Sequence, residues 1–395
     1  MRELVIIALG LFVCAAVSGK SARTYYDETT MAAVREKIAT HDWAKSQVDA
    51  VVQSAQWYTE KSDQQLWDLV PPPEQLRAIN VCHAVGCPYC GDEVVKKGGH
   101  YPWILDRDDP YKVQCPVCKR KFPENDFHPW NTAGRNAEPE SGHPITDKGV
   151  GWADEEGHRY YFVPYFLYWQ RWRRDIIGGM NTLGRAYLLT GDTIYAHKAA
   201  VMMCKVASEY KRFDYREQVY HEGRFGVNGR ISDRIWSTGD DSNIALAYDA
   251  IYPVFDEDSE LLEFLSDHGI DNPRTTCEQE MLQVMADDVL RGYVAGNMGA
   301  HQTTMCHLAI VLDNEDPEKG HTTDEMVTWL MEGDGRVEDL MWNGFWRDGL
   351  GSESSPSYAS GWCRKFYGIA DLLPRLGVEI WDNPRLKKMA DIGLD

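Results

Sequence analysis

Two knuckles of cysteine carry the most specific spacing in the chain. Cys87-Pro-Tyr-Cys90-Gly and Cys115-Pro-Val-Cys118 repeat the pattern Cys-Pro-x-Cys with 24 residues between them. Thiolates separated by two residues can both point into one tetrahedral site, and the tight turn offers backbone N–H groups to the sulfurs. Two such knuckles make a Cys₄ zinc ribbon, which would fold a segment that has little apolar core of its own. The alternative is a pair of disulfides, since an exported chain meets oxidants. Two strained Cys-x-x-Cys bridges are the less favourable outcome, so structural zinc on Cys87, Cys90, Cys115 and Cys118 is the expectation. Four protein ligands leave no open position for catalysis. Cys82 and His83 read as bystanders, and Cys204, Cys277, Cys306 and Cys363 as small buried hydrophobes in helices.

A second set is built for proton transfer. Gly296-Asn297-Met298-Gly299-Ala300-His301-Gln302 opens a helix in which Asn297 and His301, four apart, share a face. Glycines on both sides of Asn297 let the backbone approach a ligand closely. Further on, Trp346-Arg347-Asp348-Gly349-Leu350-Gly351-Ser352-Glu353-Ser354-Ser355-Pro356-Ser357-Tyr358 is a Gly/Ser loop that delivers one tyrosine to a helix start, closed by Trp362. The three side chains are an amide donor, a base of near-neutral pKa and a weakly acidic phenol. Taken singly, a helix histidine or a helix-start tyrosine reads more simply as packing. The combination is what stands out.

Together these segments resemble the catalytic segments of the heparinase II/III-type polysaccharide lyases and the related alginate lyases of the α/α-toroid class. In that family an Asn or His segment on one toroid helix precedes, by fifty-odd residues, a loop of the form Asp-Gly-x-x-x-Glu-x-Ser-x-x-Tyr. Asp348, Gly349, Glu353, Ser355 and Tyr358 fit that loop. Gly229-Arg230-Ile231, with Asp233, Trp236 and Ala247-Tyr248-Asp249, resembles the helix that usually comes earlier, and a cysteine-knuckle insert ahead of the toroid is similar to that of some bacterial members. The resemblance spans roughly residues 160–375.

It implies a secreted polysaccharide lyase acting on a uronic-acid-containing polysaccharide by β-elimination. The C5 proton is removed and the 4-oxygen leaves. The C5 anion is tolerable only if the adjacent carboxylate is neutralised by hydrogen-bond donors, each worth on the order of 10²–10³ in rate. By resemblance Asn297 neutralises, His301 takes the proton or adds to neutralisation, and Tyr358 protonates the leaving oxygen or serves as base. In the alginate-lyase branch Asn is often followed directly by His, so the division of roles between Asn297 and His301 stays open. Arg230, Trp236, Gln302, Glu353 and Trp169 are the expected substrate-binding residues, and no catalytic cofactor is expected. Rival readings are a uronyl C5-epimerase on the same fold, a hydrolase recruiting Glu353 or Asp240-Asp241, and a non-catalytic glycan-binding protein.

The elements that must position these residues follow from patterning. Arg2 and the apolar run Leu4 to Val17 read as a signal peptide over residues 1–19, so a secreted or periplasmic location is expected. Residues 20–77 form an N-terminal helical segment, with helix from Thr29 to about Lys61, and 78–130 the zinc-ribbon-like segment. By resemblance, residues 131–395 are expected to form an α/α-toroid lyase domain that is C-terminally incomplete, because family members carry a β-sandwich after the toroid. The fold class is mainly α: a toroid of helical hairpins with an inserted ribbon. Leu-Leu-Thr-Gly191 should close one helix in the left-handed conformation, and Asp192 should cap the next. Further helices are predicted near 233–252, 257–267, 275–292, 300–313, 322–341 and 358–374.

Aromatics crowd Tyr160 to Trp172, with Arg171, Arg173 and Arg174 interleaved; most should be helix core, with one or two reaching substrate. The net charge of −20 excludes nucleic acid as a partner. An acidic polysaccharide is not excluded, because local field rather than total charge steers a ligand. No segment after the leader is apolar for long enough to span a membrane.

Overall fold

The link between two helices near the middle of the chain shows how local chemistry sets the architecture. Gly191 adopts φ 75° and its N–H donates to the Tyr187 carbonyl at 2.8 Å, closing one helix. Asp192 then accepts the Ile194 N–H at 3.1 Å and opens the next, so the chain reverses within two residues. The computed structural model describes residues 20–82, 85–127, 144–213, 215, 229–353 and 355–391. The expected leader, His83, Ser354 and much of the stretch after residue 130 lie outside the described residues.

The fold is mainly helical. The N-terminal helices are α1 (Glu28–Thr40), α2 (Asp42–Thr59) and α3 (Asp63–Leu69). The stretch from Thr29 to Lys61 is thus two helices, parted at extended His41. The ribbon segment holds α4 (Glu93–Gly98) and the antiparallel pair β1 (Val113–Gln114) and β2 (Lys121–Phe122), with Val113 opposite Phe122. A second pair, β3 (Trp152–Ala153) and β4 (Arg159–Tyr160), leads into α5 (Phe162–Phe166).

From α5 the helix continues through wide i→i+5 turns over Leu167–Ile177 into α6 (Gly178–Thr190), followed by α7 (Thr193–Glu209). After the next stretch come α8 (Ser237–Ile251), α9 (Val254–Glu257), α10 (Ser259–Asp267), α11 (Pro273–Cys277) and α12 (Gln283–Leu290). The rest comprises α13 (Ala300–Leu312), α14 (Thr323–Met331), α15 (Val337–Asn343), α16 (Pro356–Leu372) and α17 (Pro384–Asp391). The helix expected over 322–341 is two, α14 and α15, because Gly333 and Gly335 weaken its middle. No helix among the described residues is long and apolar enough to cross a membrane.

Four of these helices form a layer, and α6, α8 and α13 run parallel within it. Asn181 of α6 donates to the Asn243 carbonyl of α8 at 3.0 Å, and Gly184 meets Ala250 further along both. Ser242 of α8 donates to Thr304 of α13 at 3.2 Å, while Asp249 and the Val311 carbonyl share the Lys20 ammonium. α16 packs on α13 with Gly361 against Met298. The N-terminal ends of α8, α13 and α16 therefore gather on one side of the molecule. Beneath them a continuous apolar core joins α2, α6, α7, α8, α12, α13 and α16.

The ribbon has a separate core, and it is not self-sufficient. Val94, Trp103, Val113 and Phe122 from the segment pack with Tyr160, Phe162, Val163 and Phe166 of β4 and α5. Phe122 and Phe162 stack at 5.0 Å. The segment is fastened to the start of the long helix by apolar burial.

Candidate functional site

The four predicted sulfurs converge. The Sγ atoms of Cys87, Cys90, Cys115 and Cys118 all lie within 4.8 Å of one another. Between the knuckles, Cys90 stands 3.5 Å from Cys115 and Cys87 3.8 Å from Cys118. A disulfide needs about 2.05 Å, whereas a tetrahedral ion with 2.3 Å bonds sets its sulfurs about 3.8 Å apart. The separations match the second case. Each knuckle is closed by backbone: the Gly91 N–H donates to the Cys87 carbonyl at 2.8 Å, and Lys119 N–H to the Cys115 carbonyl at 3.0 Å. This donor set can hold a metal ion.

At the other candidate site the backbone is strained. Met298 has φ 61° and Gly299 φ 77°, two left-handed residues in succession immediately before α13. A Cβ on Gly299 would stand 2.7 Å from the Ile369 side chain and 2.8 Å from that of Leu340, so a larger residue would have to displace both while holding a left-handed backbone. Met298 has no such excuse, and a non-glycine residue held in this region is the kind of strain found at functional sites. The turn exposes Asn297 and sends Met298 toward α16. There a cavity of about 540 Å³ is lined by Met298, Ser357, Tyr358, Gly361, Arg364 and Lys365. Tyr358 is 55% exposed, at the first turn of α16.

His301 faces a different neighbour. Its Nδ1 is tied to Gly296, 3.0 Å from the carbonyl and 3.2 Å from the N–H, and its ring meets Trp329 edge-on at 6.1 Å. Burial holds its pKa below the usual histidine value, and Arg234 nearby pushes the same way against the Gly296 bond. The imidazole is therefore neutral at neutral pH, the form a base requires. His301 does not line the cavity of Tyr358; the two are joined through the 296–299 turn.

The predicted substrate contacts divide. Trp169 and Trp236 come together, their rings edge-to-face at 5.3 Å. Glu353 is exposed and accepts the Trp362 indole N–H at 3.3 Å. Arg230 and Gln302, by contrast, are buried at 3% and 5% exposure. Arg230 donates to the Tyr293 carbonyl at 2.6 Å and lies 3.8 Å from Asp288. Gln302 turns inward from α13, with its side-chain oxygen unpartnered among the described residues. Both side chains lie beneath the surface.

Sequence reasoning singled out Asp233 and the Asp240-Asp241 pair but missed Asp288 and the way the four carboxyls gather about Arg230. Asp233, Asp240, Asp241 and Asp288 are all buried about the start of α8. Asp240 accepts from Ser232 at 2.8 Å and Tyr168 at 3.4 Å and stands 3.3 Å from Arg173; Asp241 accepts from Tyr210 at 3.3 Å. Burial pushes Asp233 up to about 6 and Asp288 up to about 7. Asp233 also accepts the N–H groups of Ile235 and Trp236 at 3.0 and 2.9 Å, which sets the turn that carries Trp236. What could have linked Asp288 to them was acidic residues recurring where a helix should be apolar. Tyr101 was missed altogether: it reaches from the ribbon segment to Trp169 and Trp236. Comparisons with family models, curated proteins and solved structures found no match.

Proposed function

We propose that this protein is a polysaccharide lyase that cleaves a uronic-acid-containing chain by β-elimination at the helix ends around Tyr358. The observation that carries the reading is electrostatic. In a chain of net charge −20, the described residues lining the cavity beside Tyr358 include two cations, Arg364 and Lys365, and no carboxylate. A locally positive cavity with a solvent-reaching phenol suits an anionic sugar and proton transfer to its leaving oxygen.

The neighbouring groups support the same chemistry. The exposed Asn297 amide stands at the N-terminal end of α13, where helix N–H groups and dipole favour the charge that builds on a uronate carboxylate as C5 loses its proton. His301, kept neutral by burial, with Nδ1 engaged by Gly296, has Nε2 left to take or relay that proton. Tyr358 then donates to the departing 4-oxygen. In this reading the layer of α6, α8, α13 and α16 is part of an α/α toroid, the protein is exported, and the ion held by the four cysteines is zinc, with a structural role.

The test is a panel of polyuronides (alginate, polygalacturonate, heparan and chondroitin sulfates) followed by the ultraviolet absorbance of the unsaturated product. At least one substrate should give that signal. Tyr358→Phe removes only the hydroxyl from an exposed side chain, so folding should survive while turnover falls at least about 10²-fold. Near-normal elimination by Tyr358→Phe, or no unsaturated product from any polyuronide, would overturn the proposal.

A further inference from the structure

We infer that Tyr101, Trp169, Trp236 and Arg173 form a second sugar subsite, which stacks one pyranose ring and reads its carboxylate or sulfate, and that the cysteine segment builds one of its walls. The inference rests on the acidic-glycan reading above and names how that substrate is gripped away from the reacting bond.

Three aromatic rings meet from three distant parts of the chain. Tyr101 lies 5.0 Å from Trp169 and 5.6 Å from Trp236, and the two tryptophans are 5.3 Å apart. The layer beneath, Ile79, Tyr168 and Tyr215, is buried, while the three rings above it are only partly so. Trp169 is fixed by its indole N–H, which donates to the Ile79 carbonyl at 2.9 Å. Packing alone would account for three rings. It does not account for the cation.

Arg173 lays its guanidinium 4.9 Å from the Trp236 ring and 5.4 Å from Trp169. Its Nε stands 3.3 Å from Asp240, which orients the group, and its side chain stays 26% exposed. Among the described residues its terminal nitrogens have no hydrogen-bond partner, so the two-pronged edge remains open to an anion. Aromatic faces for the apolar side of a sugar, beside a planar fork for its acid group, are complementary to an anionic pyranose. The wide helical turns over Leu167–Ile177 bring Trp169 and Arg173 together, and such turns recur at functional sites.

Tyr101 is placed by the cysteines. It follows α4, which leaves the first knuckle, and precedes Ile104, which exchanges backbone hydrogen bonds of 3.0 and 2.9 Å with Gln114, the residue before Cys115. Both ends of its short connection are thus set by a knuckle. At the other edge, the Arg234 carbonyl accepts the Ala295 N–H at 3.1 Å, which ties the turn carrying Trp236 to the loop carrying Asn297.

The experiment titrates full-length Tyr358→Phe protein, which leaves its ligand intact, with oligoalginate, oligogalacturonate, and heparan and chondroitin oligosaccharides. Binding is followed by tryptophan fluorescence. Adding Arg173→Gln should weaken binding about tenfold and flatten its salt dependence; Trp236→Ala and Tyr101→Ala should each weaken it by roughly three- to tenfold. In the otherwise native enzyme the same changes should raise KM and leave kcat within about twofold, the mark of lost uniform binding. Arg173→Lys keeps charge but not the fork and should recover only part of the affinity, which guards against a variant that folds poorly. Variants that bind like the parent overturn the inference, as does a parent that binds none of these oligosaccharides. Binding that weakens as expected without any unsaturated product from native protein would instead uphold the subsite and sink the lyase reading.

Discussion

The ribbon segment and the helical layer are held by opposite strategies. Between Gly86 and Phe127 the regular structure is one six-residue helix and one pair of two-residue strands, far too little backbone ladder to hold a fold. Its shape depends on a few concentrated points: four converging sulfurs and the aromatic contact of Phe122 with Phe162. The layer of α6, α8, α13 and α16 spreads its stability over a long list of buried apolar side chains, none of them dominant. A concentrated design positions Tyr101 economically but fails at once when a point is lost. A distributed design tolerates single losses and can carry strain such as that at Met298.

Removing the metal proposed at the four sulfurs is the largest way to test that contrast. Structural zinc sites of this type contribute on the order of 10 kcal/mol or more to folding. Stripping the protein with a strong chelator, or combining Cys90→Ser with Cys118→Ser, should open the ribbon to protease between the knuckles. The far-UV helical signal should stay nearly unchanged, since little of it comes from this segment. A proportional collapse of the helical signal would show that the two regions fold as one and break the comparison.

The helical layer has one concentrated point of its own, and it gives the next largest effect. Asp249 is wholly buried and accepts the backbone N–H groups of Thr24, Tyr25 and Tyr26 at 2.9, 3.0 and 2.8 Å, together with the Lys20 ammonium at 2.6 Å. Burial lowers the Lys20 pKa even against the pull of Asp249. Asp249→Ala leaves a buried ammonium without its counter-charge and three N–H groups without their acceptor, and should cost about 3–5 kcal/mol in urea denaturation. Asp249→Asn keeps one acceptor oxygen and should cost less. A loss under about 1 kcal/mol for the alanine variant would mean that the layer's stability is distributed even here.

These two points also mark what a sequence can disclose. The knuckles are legible because four ligands at fixed short spacing have one economical use. Helices are legible because Ala196 to Tyr210 repeats at three- and four-residue steps, and Gly191 with Asp192 punctuates them. The Lys20–Asp249 pair is not, because its partners are 229 residues apart and nothing local to either announces the other. The burial of Arg230 and Gln302 was illegible for the same reason: polarity suggests a surface, and only the packed chain shows Arg230 turned onto Tyr293 and Asp288. Tyr101 sits in a segment whose spacing speaks only of metal. Its role comes from where the fold puts it.

A smaller effect is expected at the cationic wall of the cavity. Arg364 and Lys365 are exposed side chains on α16 and belong to neither strategy. Replacing both with Gln should leave the melting temperature within a degree or two, while KM for a polyuronide rises about tenfold and loses much of its dependence on ionic strength. An unchanged KM would remove the electrostatic argument for an acidic substrate.

The subtlest effect is in pH, and it concerns a residue that the distributed layer holds by a single backbone contact. His301 is tied through Nδ1 to Gly296 and lowered in pKa by burial. Histidine loses its proton as pH rises through its pKa, and only the neutral ring can accept one. If His301 is the base, kcat/KM must therefore climb along an acidic limb whose midpoint lies below the usual 6.5. Asp233, held up to about 6, titrates in the same range, so the limb alone does not identify its owner. Asp233→Asn removes that carboxyl while leaving a side-chain oxygen to accept from Ile235 and Trp236, and should preserve the limb. His301→Ala should abolish the limb and slow the reaction, and added imidazole should restore part of the rate. If the limb survives in His301→Ala and vanishes in Asp233→Asn, the proton relay runs through the buried carboxylates at the start of α8. His301 would then belong with the neutralising groups beside Asn297, and Tyr358 would be left as the base.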